Sequence, residues 1–107
     1  IDPVCVRSAK ANARRNRVPH KLVIVCGDAS VLIRGQYDYV LANINRNILL
    51  ADMGSYVRSL KPQGGRIFLS GFYEADIPML LEKAASLGLT ESARRTRDDW
   101  ALLVLSK

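Results

Sequence analysis

Side chains that ligate metals are scarce in this sequence: histidine occurs once, as His20, and cysteine twice, as Cys5 and Cys26. Neither the clustered spacing of a zinc site nor a disulfide framework is present, so no metal site is expected and the thiols are read as reduced and structural. Long apolar runs are also missing. The longest, such as "WALLVL" from Trp100 to Leu105, fall far short of the ~20 residues a bilayer requires, and nothing resembles a signal peptide. A cytoplasmic protein without membrane contact is the expectation. Seven of the residues are glycine, yet no G-x-G-x-x-G pattern occurs anywhere.

What is present is ordinary globular composition, 49% hydrophobic and 24% charged over 107 residues, which fits a single domain. Sixteen Lys and Arg against 10 Asp and Glu leave a net charge of +6, which permits a polyanionic partner without naming one. The chain opens on "IDPVC", not on methionine. Asp2 reads as a helix N-cap and Pro3 as the first helical position, so a structural element is expected to precede Ile1.

From Pro3 to about Asn16, Val6, Ala9 and Ala13 share one face while Arg7, Lys10, Arg14 and Arg15 point elsewhere, which predicts a helix with a basic outer side. Val18 and Pro19 end it, with His20 in a solvated turn. "KLVIVCGD" is then a continuous apolar run closed by Gly27 and Asp28, the pattern of a strand covered on both faces, and residues 38–43 repeat it. Ile48, Leu49, Met53, Tyr56, Val57 and Leu60 recur at helical steps, predicting a helix from Asn47 to Leu60 that "KPQGG" stops. "RIFLS" reads as the next strand. Ile77, Leu80, Leu81, Ala84 and Leu87 mark a further helix, with Asp76 as N-cap, Pro78 in the first turn and Gly88 past the end. "LTESARRT", a turn at Arg97 to Asp99, and "WALLVLS" complete a hairpin.

This order predicts an α/β fold: a largely parallel sheet with helices on both faces and an antiparallel hairpin at the C-terminal end. Most doubly wound folds finish on a parallel strand. The class I S-adenosylmethionine-dependent methyltransferases, with a Rossmann-like sheet, finish on such a hairpin.

The segments "IDPVCVRSAKANARRN", "YDYVLANINRNILL", "LKPQGGRIFLSGF" and "DDWALLVLSK" together resemble the C-terminal half of the ribosomal protein L-eleven methyltransferase family, over nearly the whole chain. The resemblance implies that residues 1–107 are the C-terminal portion of one methyltransferase catalytic domain. In that family's seven-stranded sheet, the strand matching Lys21 to Val25 and the strand matching Asp38 to Asn43 are separated by two others. The first strand and its glycine-rich loop, which hold the methionine part of the cofactor, have no counterpart here. Such a sheet would leave open edges on apolar strands, so the chain by itself is expected to aggregate, to bind no cofactor and to be inactive.

The implied activity is transfer of methyl groups from S-adenosylmethionine to amino groups, lysine side chains or an N-terminal amine, of a large-subunit ribosomal protein. Positioning a neutral amine for in-line displacement is the central demand. Asn43 ends a strand on the side where ligands bind in such sheets, and by resemblance it contacts the cofactor or the incoming amine, serving both as catalytic and as cofactor-binding residue. Asp28, in "CGDAS", would accept from the adenine amino group, with the backbone N–H of Ala29 meeting a ring nitrogen. By the resemblance, the family's ribose-binding carboxylate would fall just before Ile1, so Asp2 is read first as a helix cap, second as a ribose contact. Asn47 is placed to cap the helix beginning at Ile48, with Asn45 a lesser candidate for substrate contact. Ser70 and Gly71 line the same rim, where small residues leave room for a substrate side chain, and Trp100 is expected to pack on the hairpin.

Two other functions compete with this one, the first of them disfavoured by the residues. A glutamine or nucleic-acid methyltransferase of this fold normally carries an (N/D)PP(Y/F) platform, and this chain has "NINR", Asn43 to Arg46, in its place. A non-catalytic basic module would bind RNA phosphates through its arginines, with "ARRTR", Ala93 to Arg97, as one such surface.

Overall fold

A computed structural model describes residues 6–12, 19–25 and 32–107, with side chains from Lys21 onward within those ranges. Among them are the strands β1 (Val6–Asn12), β2 (Pro19–Val25), β3 (Tyr39–Asn43), β4 (Arg66–Tyr73), β5 (Thr90–Arg97) and β6 (Trp100–Ser106), and the helices α1 (Arg46–Ser59) and α2 (Ile77–Ser86). The strands form one mixed sheet in the order β1-β2-β3-β4-β6-β5. β2, β3 and β4 run parallel, and β1, β6 and β5 pair antiparallel to their neighbours. No described helix is long and apolar enough to cross a membrane.

The core lies between the sheet and the two helices. Val23 and Val25, Val40 and Ala42, and Ile67 and Leu69 alternate with more exposed residues, Leu103 and Leu105 flank the buried Val104, and the named leucines, isoleucine, alanine and valines of these strands form the sheet's side of the core. Leu49, Met53, Tyr56 and Leu60 face them from α1 and its C-cap, and Ile77, Leu80 and Ala84 from α2. The period-2 strands and the three- and four-residue helical steps thus meet on one side of the sheet. Each of the larger side chains contributes on the order of 1.5–3 kcal/mol by leaving water.

The ends of the elements follow local chemistry. Asn45 precedes α1 with φ −64° and ψ 160°, and its Oδ1 accepts from the Ile48 N–H at 3.1 Å. Asn45, not Asn47, is therefore the cap. The helix begins at Arg46, two residues before the first apolar position, and only a side chain outside that first turn can reach back to its free N–H groups. At the other end, the Lys107 ammonium donates to the carbonyls of Val57 at 3.1 Å and Leu60 at 3.4 Å. α2 carries Pro78 in its first turn, and Gly88, at φ 82°, follows its end. Asp98 and Asp99 both have positive φ, 51° and 73°, which gives the β5–β6 hairpin the two-residue turn matching strand twist. β5 is exposed along its whole length, and its arginines keep that outer edge from pairing with another strand.

Two expectations are corrected. Residues 6–12, expected inside a helix, form β1, in antiparallel register with β2 from Val6 opposite Val25 to Asn12 opposite Pro19. His20 accordingly lies in a strand rather than a turn. β2 also pairs directly with β3, from Leu22 opposite Tyr39 to Val25 opposite Ala42, where the resemblance implies two strands between them. One physical reason covers both. An apolar strand with an open edge exposes unpaired N–H and C=O groups, and ladder hydrogen bonds from the available segments outweigh a local helical preference. The two described helices pack on one face, and on the other Leu22, Tyr39, Leu41 and Phe68 line an open apolar depression of about 260 Å³.

Candidate active site

The parallel strands β3 and β4 end side by side, with Asn43 opposite Ser70, and the Ile44 N–H donates to the Ser70 carbonyl at 3.1 Å. Beyond them the chain turns into α1 on one side and toward α2 on the other. The space between is an open depression of about 340 Å³ lined by Asn45, Arg46, Asn47, Gly71, Phe72, Tyr73 and Asp76. Ligands of parallel α/β sheets bind at this end, where strand termini and helix N-termini converge.

Asn43 is exposed at the tip of β3, the polar last member of the row begun by Tyr39 and Leu41. Its amide lies against Gly71, where the main chain has φ 88°. The "GF" of "LSGF" therefore belongs to the strand, not to a loop, and the pairing of β4 with β6 shifts register between Leu69 and Phe72 around it. Ser70 is half-buried beside it.

An ion pair closes the far side of the depression. Arg46 Nη1 donates to Asp76 Oδ1 at 3.1 Å, and Asp76 Oδ2 accepts from the Tyr73 N–H at 3.1 Å. Asp76 thus stands at the N-cap of α2 without capping it through its side chain, and spends both oxygens on the rim. Tyr73 stacks on Trp100, centroids 4.6 Å apart at 26°, and both rings remain about half exposed. Trp100, expected to pack on the hairpin, has its stacking partner on β4 instead.

Of the residues singled out, Asn43, Asn45, Asn47, Gly71 and Ser70 come together at this rim. Asp28, Ala29 and Asp2 lie outside the described residues. Arg46, Asp76 and Tyr73 were missed as rim residues. The available signal was Arg46 itself: a cation at the first helical position runs against the helix dipole and calls for a carboxylate partner.

The profile described as "Ribosomal protein L11 methyltransferase (PrmA)" matches residues 1–107. The chain belongs to this family. A ribosomal protein L11 methyltransferase of Porphyromonas gingivalis is 48% identical over 104 residues, covering 96% of this chain and 35% of the relative. One from Phocaeicola vulgatus is 45% identical over 102 residues, covering 94% and 36%. The chain therefore spans about a third of the length of the curated family members it matches.

Solved structures agree on the fold. The crystal structure of ribosomal protein L11 methylase from Lactobacillus delbrueckii subsp. bulgaricus aligns with a TM-score of 0.61 at 25% identity, over 68% of this chain and 37% of that one. A T. thermophilus 16S rRNA N2 G1207 methyltransferase, in complex with AdoMet and guanosine, aligns at 0.56 with 20% identity, over 76% and 23%. The second likeness speaks for the fold only. This member of the family is an α/β chain with part of a Rossmann-like class I methyltransferase fold, ending in the expected antiparallel hairpin.

Proposed function

We propose that this chain is the C-terminal portion of the catalytic domain of an S-adenosylmethionine-dependent protein methyltransferase, acting on amino groups of a large-subunit ribosomal protein. Family membership over residues 1–107 supports the reaction class. The observation that carries the site is Asn43: an exposed amide at the carboxyl end of a parallel strand, seated against a glycine with positive φ.

Of the residues assigned to the cofactor and the reaction, Asn43 lies among the described residues, and its amide suits the reaction. When bound, S-adenosylmethionine supplies an electrophilic methyl group. The chain's own part is to hold the amine on the line of attack. A carbonyl oxygen of Asn43 accepts a hydrogen bond from an amine N–H and leaves the nitrogen lone pair directed into the crevice, as a neutral nucleophile requires. By the family resemblance, Asp28 and Ala29 are assigned to the adenine and Asp2 to the ribose.

In the full-length protein, Asn43→Ala is expected to lower turnover at least tenfold, about 1.4 kcal/mol of transition-state stabilisation. Turnover unchanged from wild type removes Asn43 from the mechanism.

A further inference from the structure

Four glycines among the described residues have positive φ: Gly35, Gly64, Gly71 and Gly88. At Gly35, Gly64 and Gly88 a Cβ would meet nothing within 4 Å, so these positions ask only for backbone freedom. Gly71 differs. A Cβ there would stand 2.6 Å from Asn43 Oδ1, 2.9 Å from the Ile44 nitrogen and 3.1 Å from the Ile44 oxygen. Non-bonded heavy atoms prefer about 3.5–4.0 Å, so the space that a side chain would occupy is already taken. What takes it is the end of β3 and, closest of all, the Asn43 amide.

Two features hold the strands at this spacing. The bulge between Leu69 and Phe72 turns the Gly71 main chain out of the β4 ladder, and the Ile44 N–H to Ser70 carbonyl bond ties the adjacent strand tips. Room for substrate, the role expected for Gly71 from sequence, is thus not what the missing side chain provides.

We propose that Gly71 is a positioning residue for Asn43: its bare Cα is the seat that fixes the Asn43 amide at the mouth of the crevice. The proposal deepens, and rests on, the reading of Asn43 given above. An alanine at position 71, already strained at φ 88°, would have to displace the Asn43 side chain, the mobile end of the contact, and also the Ile44 main chain, whose nitrogen would stand 2.9 Å away. Both shifts displace the amide. A misplacement of about 1 Å in a positioning group costs on the order of a hundredfold in rate.

In the full-length protein, Gly71→Ala is expected to lower kcat at least tenfold while KM for S-adenosylmethionine stays within about twofold, and to cost less than about twofold more when Asn43→Ala is already present. Equal losses in both backgrounds overturn the proposal, since Gly71 would then act without Asn43. A second measurement needs no variant. Side-chain amide relaxation in the wild-type protein is expected to give Asn43 an order parameter near the rigid value of ~0.85, and the exposed Asn47 one below ~0.6. An Asn43 amide as mobile as that of Asn47 overturns the proposal, whether or not Gly71→Ala folds. Should Asn43→Ala leave turnover intact, the catalytic reading falls, and the relaxation result still decides whether Gly71 seats the amide.

Discussion

Arg46 and Asp76, 30 positions apart, meet across the mouth of the crevice with Nη1 3.1 Å from Oδ1. One opens α1 and the other stands at the threshold of α2, so a single contact ties the two helix N-termini that flank the candidate site. The guanidinium is the more exposed partner, at 38% against 14% for the carboxylate, and the pair itself is worth at most about 1 kcal/mol. Asp76 also accepts the Tyr73 N–H, so the two partners are not equivalent. In denaturant titrations of the full-length protein, Asp76→Ala is expected to destabilise the catalytic domain by about 1–2 kcal/mol and Arg46→Ala by less than about 1 kcal/mol. An arginine variant that costs as much as the aspartate variant would show that the ion pair, not the backbone contact, holds the rim.

The asparagines flanking Arg46 separate by the same kind of test. Asn45 caps α1 through Ile48 N–H, whereas Asn47 is exposed within the first turn and only accepts from Arg46 Nε at 3.3 Å. Asn45→Ala is expected to cost about 1 kcal/mol in thermal or denaturant unfolding, and Asn47→Ala to stay within about 0.5 kcal/mol of wild type. The reverse order would return the cap to Asn47.

Tyr56 carries a pH dependence. Its ring is fully buried and its hydroxyl finds no hydrogen-bond partner among the described residues. Burial, with the neighbouring charge of Asp52 second, pushes the phenol well above its ordinary value of 10.0. Below that value Tyr56 is neutral in folded and unfolded chains alike, and its contribution to stability is intact. Above it the unfolded chain gives up the proton while the folded chain retains it. Stability therefore falls with rising pH, by about 1.4 kcal/mol per unit from this group, until the folded-state value is passed. Tyr56→Phe is expected to flatten that alkaline loss and, by removing an unsatisfied hydroxyl, to leave stability at neutral pH unchanged or raised by up to about 1 kcal/mol. Denaturant midpoints measured from pH 7 to 11 check both parts; a destabilised phenylalanine variant at pH 7 would mean that the hydroxyl has a partner.

The Tyr73–Trp100 stack, centroids 4.6 Å apart, joins β4 to the last strand at the crevice end of the sheet. Half-exposed aromatic pairs of this kind contribute about 0.5–1.5 kcal/mol beyond the area they cover. Tyr73→Ala and Trp100→Ala are expected to show a coupling of that size in a double-mutant cycle on unfolding free energy. Additive losses would mean that each ring packs on other neighbours.

Much of this architecture was legible because it is periodic. Leu49, Met53, Tyr56 and Leu60 repeat at helical steps, Pro78 and Gly88 bracket α2, and two strand-forming runs flank the turn at Asp98 and Asp99, so composition and spacing were enough to find α1, α2 and the hairpin. The same local logic misread residues 6–12. Their helical pattern of small apolar and basic residues was outweighed by the hydrogen bonds available along the edge of β2, which no local window contains. For the candidate site, the "ANINRN" run marked Asn43 through its place at a strand end, and the family resemblance supplied its role. Its seat on Gly71 depends on two strands far apart in sequence meeting in one register, and the Arg46–Asp76 pair likewise depends on where two helices start in space.

By itself, then, the sequence determined which segments are apolar, at what period they repeat and where the chain must turn, because those properties reside in side-chain type and backbone freedom within a few residues. Only the tertiary structure decided which strands pair, which asparagine caps α1 and what occupies the empty side of Gly71. Those outcomes are set by backbone hydrogen-bond satisfaction and by close packing between distant segments, and neither quantity is defined until the sheet has formed.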